Sequence, residues 1–245
     1  MSDSTAKYGF TALPAGPQST PPKPSPSPVE VSSLQPPQTP LAKRVTEYVR
    51  SKLNPKTFNH SLRVYSYGLA IARECYPDWN LQPGSALEET WYLTAMLHDI
   101  GTCDEFLTAT RLSFEFWGGY HALELLQKPE ITGSATNDGV APREQAESVA
   151  EAIIRHQDVQ EKGMVTLITR LIHLGTLLDN AGANREMVDG KTIENVVEAY
   201  PRKGWSECFR GTVVEEKTAK PYAMVSRIEG FEDMIMGNEL MNKYD

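Results

Sequence analysis

The stretch Leu93-Thr-Ala-Met-Leu-His98-Asp99-Ile-Gly101 constrains this chain more than any other, because two strong metal-ligand side chains stand side by side where an apolar helical run stops. A buried Asp is costly unless a cation or hydrogen-bond donors meet it. The imidazole beside it favours zinc or iron over calcium. The dyad therefore asks for a divalent transition metal and for a fold that brings more ligands to it. A His-Asp pair alone is also an ordinary polar helix end; the apolar lead-in and the stop at Gly101 raise it above that. Leu87, Trp91, Ala95 and His98, with Leu93, Met96 and Leu97 alongside, predict a central helix over residues 86–99.

Helical spacing supplies the partners. After the break at Asn54-Pro55, Phe58, Leu62, Tyr65, Leu69 and Ala72 form one stripe, and His60, Val64, Tyr67 and Ile71 form a second beside it. A helix apolar on two flanking stripes is mostly buried, which puts His60 at the margin of a buried face. Ala146, Val149, Ile153 and His156 repeat the pattern, so His156 also sits on an apolar face. In the following helix Ile168, Leu171, Ile172, Gly175 and Asp179 share a stripe and direct a carboxylate to the core, whereas His173 falls with Thr166 and Arg170 on the polar side and is set aside. His60, His98, Asp99 and Asp179 together satisfy a divalent ion at a net charge near zero and leave a position open for water.

At 245 residues, 40% of them hydrophobic, the chain holds one domain with a real core. A formal net charge of -8 makes nucleic acid or an anionic membrane an unsuitable partner and favours a small neutral or cationic substrate. Three widely spaced cysteines, Cys75, Cys103 and Cys208, suggest reduced thiols. With neither a leader pattern nor a transmembrane run, a soluble cytoplasmic protein is expected. Residues 1–41 carry 10 of the 17 prolines and read as a flexible Pro/Ser-rich arm, except for the apolar patch Tyr8-Gly-Phe10-Thr-Ala-Leu-Pro14, which can dock. Residues 42–245 then form an all-α domain, with Gly211-Thr-Val-Val214 the one strand candidate and residues 128–142 a polar loop.

Longer stretches carry a family resemblance. They are Phe58-Asn59-His60-Ser61, Leu97-His98-Asp99-Ile100-Gly101-Thr102, Thr110-Arg111-Leu112-Ser113-Phe114 with Gly118-Gly119, Ala152-Ile153-Ile154-Arg155-His156-Gln157-Asp158, and Leu178-Asp179-Asn180-Ala181-Gly182. The order H…HD…D resembles the HD-domain metal-dependent hydrolase superfamily, and the set as a whole resembles its fungal cyanamide hydratases. The resemblance implies an HD-domain helical bundle behind a disordered Pro-rich arm, and a hydro-lyase that adds water to the nitrile of cyanamide to form urea. It further implies a single Zn2+ per chain, held by His60, His98, Asp99 and Asp179, and a homo-oligomer. Asp104, five residues after Asp99 where the family also has a carboxylate, is the expected proton shuttle, with His156 and Asp158 as alternatives. His156 can equally be a further ligand. Arg111 and Asn180 are candidates for substrate contact or for buried hydrogen bonding. Two rivals remain at this point. His121 and His156 could complete a dinuclear site of a phosphohydrolase or oxygenase, although a phosphate ester calls for more Lys and Arg than the motifs contain. The other rival is a metal-free binding module.

Overall fold

The computed structural model describes residues 2–16, 26–132 and 139–245. Among them ten α-helices and one two-stranded antiparallel sheet are formed. Helix α1 (Ser2–Lys7) and strand β1 (Ala12–Pro14) open the chain, followed by α2 (Pro40–Lys52), α3 (Pro55–Cys75), α4 (Ala86–Leu97), α5 (Phe114–Gln127) and α6 (Arg143–Arg155). Strand β2 (Met164–Thr166) leads directly into α7 (Leu167–Ala181), and α8 (Gly190–Ala199), α9 (Trp205–Ala219) and α10 (Phe231–Met236) complete the body.

Local chemistry sets the helix starts. Asn54 accepts from the backbone N–H groups of Lys56 and Thr57 with Pro55 at the first helical position, and Ser85 and Thr166 cap α4 and α7 in the same way. Helix α4 is the axis of the bundle: Trp91, Leu93, Ala95, Met96 and Leu97 are fully buried, and α3, α6, α7 and α2 pack around it. Helices α5 and α6 pair closely on one side. A smaller second core, built from Phe114, Trp205, Phe209, Val213, Val225 and Phe231 among others, lies where α9 and α10 close over the end of the bundle.

Two expectations change, and the docking of the arm's apolar patch is met. The strand candidate Gly211–Val214 lies inside α9, where Trp205, Phe209, Val213 and Glu216 recur at helical spacing and are all buried, so tertiary packing overrides the β-branched run. The arm is seated at both flanks. Strand β1 pairs with β2 (Ala12 with Thr166, Pro14 with Met164), Tyr8 is buried, and Gly9, at φ +78°, lies so near Ile168 that a Cβ would collide with it. Leu34 is fully buried and the Val29 N–H donates to Thr192. Residues 17–25 of the arm and 133–138 of the expected polar loop lie outside the described residues. His173, assigned to the polar side, is buried, and its Nε2 donates to the Arg155 carbonyl 2.8 Å away. Helix α7 is covered on both flanks, so its polar stripe is not a solvent stripe. Among the described residues no helix is long and apolar enough to cross a membrane.

Candidate metal centre

Helix α4 ends at Leu97, and His98 and Asp99 follow as its last turn unwinds. The His98 ring is held by its Nδ1–H, which donates to the Ala95 carbonyl at 2.8 Å and leaves Nε2 free to face inward. His60, on α3, donates from Nδ1 to Asp179 Oδ2 at 2.6 Å. His156, capping α6, donates from Nδ1 to the Ile153 carbonyl at 2.6 Å. Three imidazoles are thus fixed in the same tautomer, and each presents a lone pair on Nε2.

These lone pairs converge on Asp99. The Nε2 atoms of His60 and His98 are 3.2 Å apart, Asp99 Oδ2 lies 3.2 Å from His98 Nε2 and 3.6 Å from His60 Nε2, and His156 Nε2 stands 3.8 Å from Asp99 Oδ1. His60, His98 and Asp99 form a group whose ligand atoms all lie within 4.8 Å of one another. All four residues are buried, and neither Asp99 oxygen nor His156 Nε2 has a hydrogen-bond partner. Buried acceptors that face one another without donors are unfavourable, and a cation removes the conflict. The residues present therefore fit a divalent metal, and three imidazoles with one carboxylate are a donor set that suits zinc.

The electrostatics agree with neutral rings at His60 and His156, while His98, despite its burial, is drawn toward its protonated form by Asp99. Burial lowers His60 from 6.5 to about 4, against the pull of Asp179, and lowers His156 to about 3 with His98 adding to the effect. At His98 burial is outweighed by the Asp99 charge, and its pKa rises. Burial would raise Asp99, but His98 and then His60 and His156 hold it below the usual carboxylate range.

Asp179 takes a different place from the one expected of a ligand. Its Oδ1 accepts from Arg63 Nε and Arg202 Nη1, and its Oδ2 accepts from Arg63 Nη2, each at 2.9 Å, besides the bond from His60. Two guanidinium groups outweigh burial and keep it well below the ordinary carboxylate pKa. Asp179 thus stands behind His60, on the far side of the ring from Nε2, where it orients the imidazole.

The remaining candidates scatter. Asp104 is exposed, outside the buried cluster, which removes the ground for a shuttle role. Asp158 pairs at 3.5 Å with Arg155 and with Arg227. Arg111 is exposed, its carbonyl accepting from Tyr222 Oη, and Asn180 is buried and accepts from Trp205 Nε1 at 2.8 Å. His121 bonds Tyr48 Oη at 2.6 Å and stacks on Trp117, so its partners are aromatic and it does not extend the cluster toward a second metal. Two residues went unread in the sequence. Trp205 stacks on His60 with ring centroids 4.2 Å apart. Glu115 is fully buried on α5; its spacing with Gly118, Gly119 and Ala122 along one buried stripe is the signal that would have found it.

A helical body carrying a buried His-Asp dyad with a further histidine beside it is that of the HD-domain class, and the HD domain family matches residues 57–181. Two curated relatives, cyanamide hydratase DDI2 and cyanamide hydratase DDI3 of Saccharomyces cerevisiae, are each 35% identical over 223 residues, covering 91% of this chain and 92% of the relative. The chain belongs to the HD-domain superfamily and, within it, to the family of the fungal cyanamide hydratases.

Proposed function

We propose that this chain adds water to the nitrile of cyanamide, giving urea, at a single zinc ion held by His60, His98, Asp99 and His156. The observation that carries the reading is Asp99, buried with both oxygens unpartnered and ringed by imidazole lone pairs, in a chain 35% identical to proteins named cyanamide hydratase. When bound, the metal supplies Lewis acidity, which acidifies water and polarises a nitrile.

The chain's own groups prepare for this. The Nδ1 bonds of His60, His98 and His156 fix the three rings, with the Nε2 atoms of His60 and His98 3.2 Å apart and His156 Nε2 3.8 Å from Asp99 Oδ1, so the donors are held in place before an ion arrives. Burial excludes bulk water and strengthens every charge–dipole interaction inside. The buried cations Arg63, Arg202 and Lys220 are committed to Asp179, Asp179 with Asp245, and Glu216 respectively, which favours an uncharged substrate over a phosphate ester.

The test is urea release from cyanamide by the purified protein, assayed with added zinc, after chelation, and beside His98→Ala. Zinc-dependent urea from the wild type and none from the variant is the expected result. Equal urea from both would remove the mechanism.

A further inference from the structure

Water addition to a nitrile puts an electron pair on nitrogen, and a proton must reach that nitrogen from a positioned acid. The metal-centre residues are poorly suited to give it. The Nδ1–H of each imidazole is committed to a fixed acceptor, and Asp179 is closed by two guanidinium groups. Asp104, the carboxyl read from the sequence for this task, faces solvent.

Glu115 is the buried carboxyl that none of these roles uses. It lies in the first turn of α5, fully buried, and neither of its oxygens has a hydrogen-bond partner on another residue. An acid in the first turn of a helix ordinarily serves the exposed backbone N–H groups there. In this helix another residue does so: Glu216, from α9, accepts from the Phe114 N–H at 2.9 Å. Glu216 is in turn paired at 2.9 Å with Lys220, whose Nζ donates to the Leu112 carbonyl. The Phe114 N–H is therefore capped from outside, and the Glu115 carboxyl is left with its own backbone N–H.

Its position follows from what its neighbours touch. Gly101, two residues beyond Asp99, is pressed so closely on the first turn of α5 that a Cβ would run into the Phe114 carbonyl. The Phe114 ring meets the His156 ring edge-on, with centroids 5.5 Å apart. The first turn of α5 thus abuts both the segment that carries Asp99 and the histidine that faces it. Burial, and then the charges of Glu216 and Asp99, push Glu115 up to about 8, against its own backbone N–H and Lys220. Around neutral pH the group keeps its proton.

We propose that Glu115 is the acid that protonates the nitrile nitrogen, an assignment that rests on the nitrile-hydration reading above. As the water oxygen bonds to the nitrile carbon, one C≡N π pair moves to nitrogen and takes the Glu115 proton. The proton that the water releases returns to the Glu115 carboxylate, and the product at this stage is isourea. In a second exchange the same carboxyl gives its proton to the imine nitrogen and takes the O–H proton, which turns isourea into urea. Water and cyanamide account for every atom of the product, and Glu115 ends protonated as it began. A carboxyl suits this work because it has one oxygen to donate and another to accept.

Zinc-loaded Glu115→Gln and Glu115→Met are compared with the wild type for kcat, KM and zinc per chain, and the metal-free forms are compared for melting temperature. Expected is a loss in kcat of about a hundredfold or more in both variants, with zinc content and KM close to the wild type. Glu115→Met, which replaces the unpartnered polar atoms with an apolar chain of similar size, should melt no lower than the wild type. Turnover within about tenfold of the wild type in either variant overturns the assignment. So does loss of zinc, which would place Glu115 in the metal set, and so does failure of both variants to fold, which would make it a structural requirement. Absence of urea from the wild type instead overturns the underlying reading and is told apart by that control.

Discussion

Replacing Asp179 by Asn separates a ligand from a group that orients a ligand. The amide keeps the shape and one acceptor, so His60 Nδ1 can still donate, but the charge that faces Arg63 and Arg202 is gone. Arg202 retains Asp245 at 2.9 Å, whereas Arg63, fully buried, is left with no carboxylate, only the amide oxygen and the backbone carbonyls of Tyr200 and Pro201. Removing one partner of a buried ion pair costs about 3–5 kcal/mol, and this is the expected drop in unfolding free energy of the metal-free protein in guanidinium chloride. Loss of an outer partner of a metal-bound histidine weakens metal affinity about 10–100-fold, equivalent to about 1.4–2.7 kcal/mol. A zinc titration against a chromogenic chelator measures it, with His98→Ala as the reference for a lost ligand. The reasoning fails if Asp179→Asn loses zinc as completely as His98→Ala, for then Asp179 binds the ion directly. It fails equally if the variant unfolds within about 1 kcal/mol of the wild type.

Two further outcomes follow from the same coordinates. Burial lowers His60, His156 and His173 from 6.5 to about 4, 3 and 4, so the unfolded chain binds protons that the folded chain refuses as pH falls below 6.5. Their contribution to stability is full above pH 6.5 and is lost as pH drops toward 4, while His98, shifted upward, offsets part of it. Denaturation midpoints of metal-free protein from about pH 7.5 to 4.5 should decline, and a flat profile would contradict neutral buried imidazoles. Deleting residues 1–16 removes buried Tyr8 and the β1–β2 pairing, an expected loss of about 2–3 kcal/mol. The kcat of the folded enzyme should stay near the wild-type value, because the segment lies against β2 and the start of α7. An unchanged denaturation midpoint would show that the strap contributes no stability.

Periodicity revealed most of the buried site residues, though it misplaced His173, because a 3.6-residue repeat reports the face a residue occupies and not what covers that face. It placed His60, Asp99, His156 and Asp179 in the interior, and all four are there. What it could not report is which atom of a buried side chain points where. His60 is bound from both ends of its ring, and only the coordinates show that Asp179 holds Nδ1 while Nε2 faces Asp99. Arg202, which fixes Asp179, lies on another segment of the chain and carries no helical phase that links the two. Glu115 was obscured for a different reason. An acid in a first turn satisfies the helix dipole, and that local explanation hid its place on a buried stripe whose capping is done from α9.

Asp99 and Asp179 are the same residue type at the same burial, and their neighbours give them opposite tasks. Around Asp179 every near group is a donor, so its charge is neutralised by protein and no ion is required. Around Asp99 the near groups are imidazoles whose Nδ1 atoms are bound elsewhere, and its charge is where the proposed cation would sit. The line between the two runs through the His60 ring, and α9 fixes that ring: Trp205 lies against its face at 4.2 Å with the planes 15° apart, while the Asp179 bond fixes its rotation. The same helix, through Glu216, holds the turn that carries Glu115. One element far from the dyad in sequence thus sets both the metal-facing imidazole and the buried acid. On the roles proposed above, ligand geometry and proton delivery would then be coupled, since a shift of α9 would displace both sides of the site together.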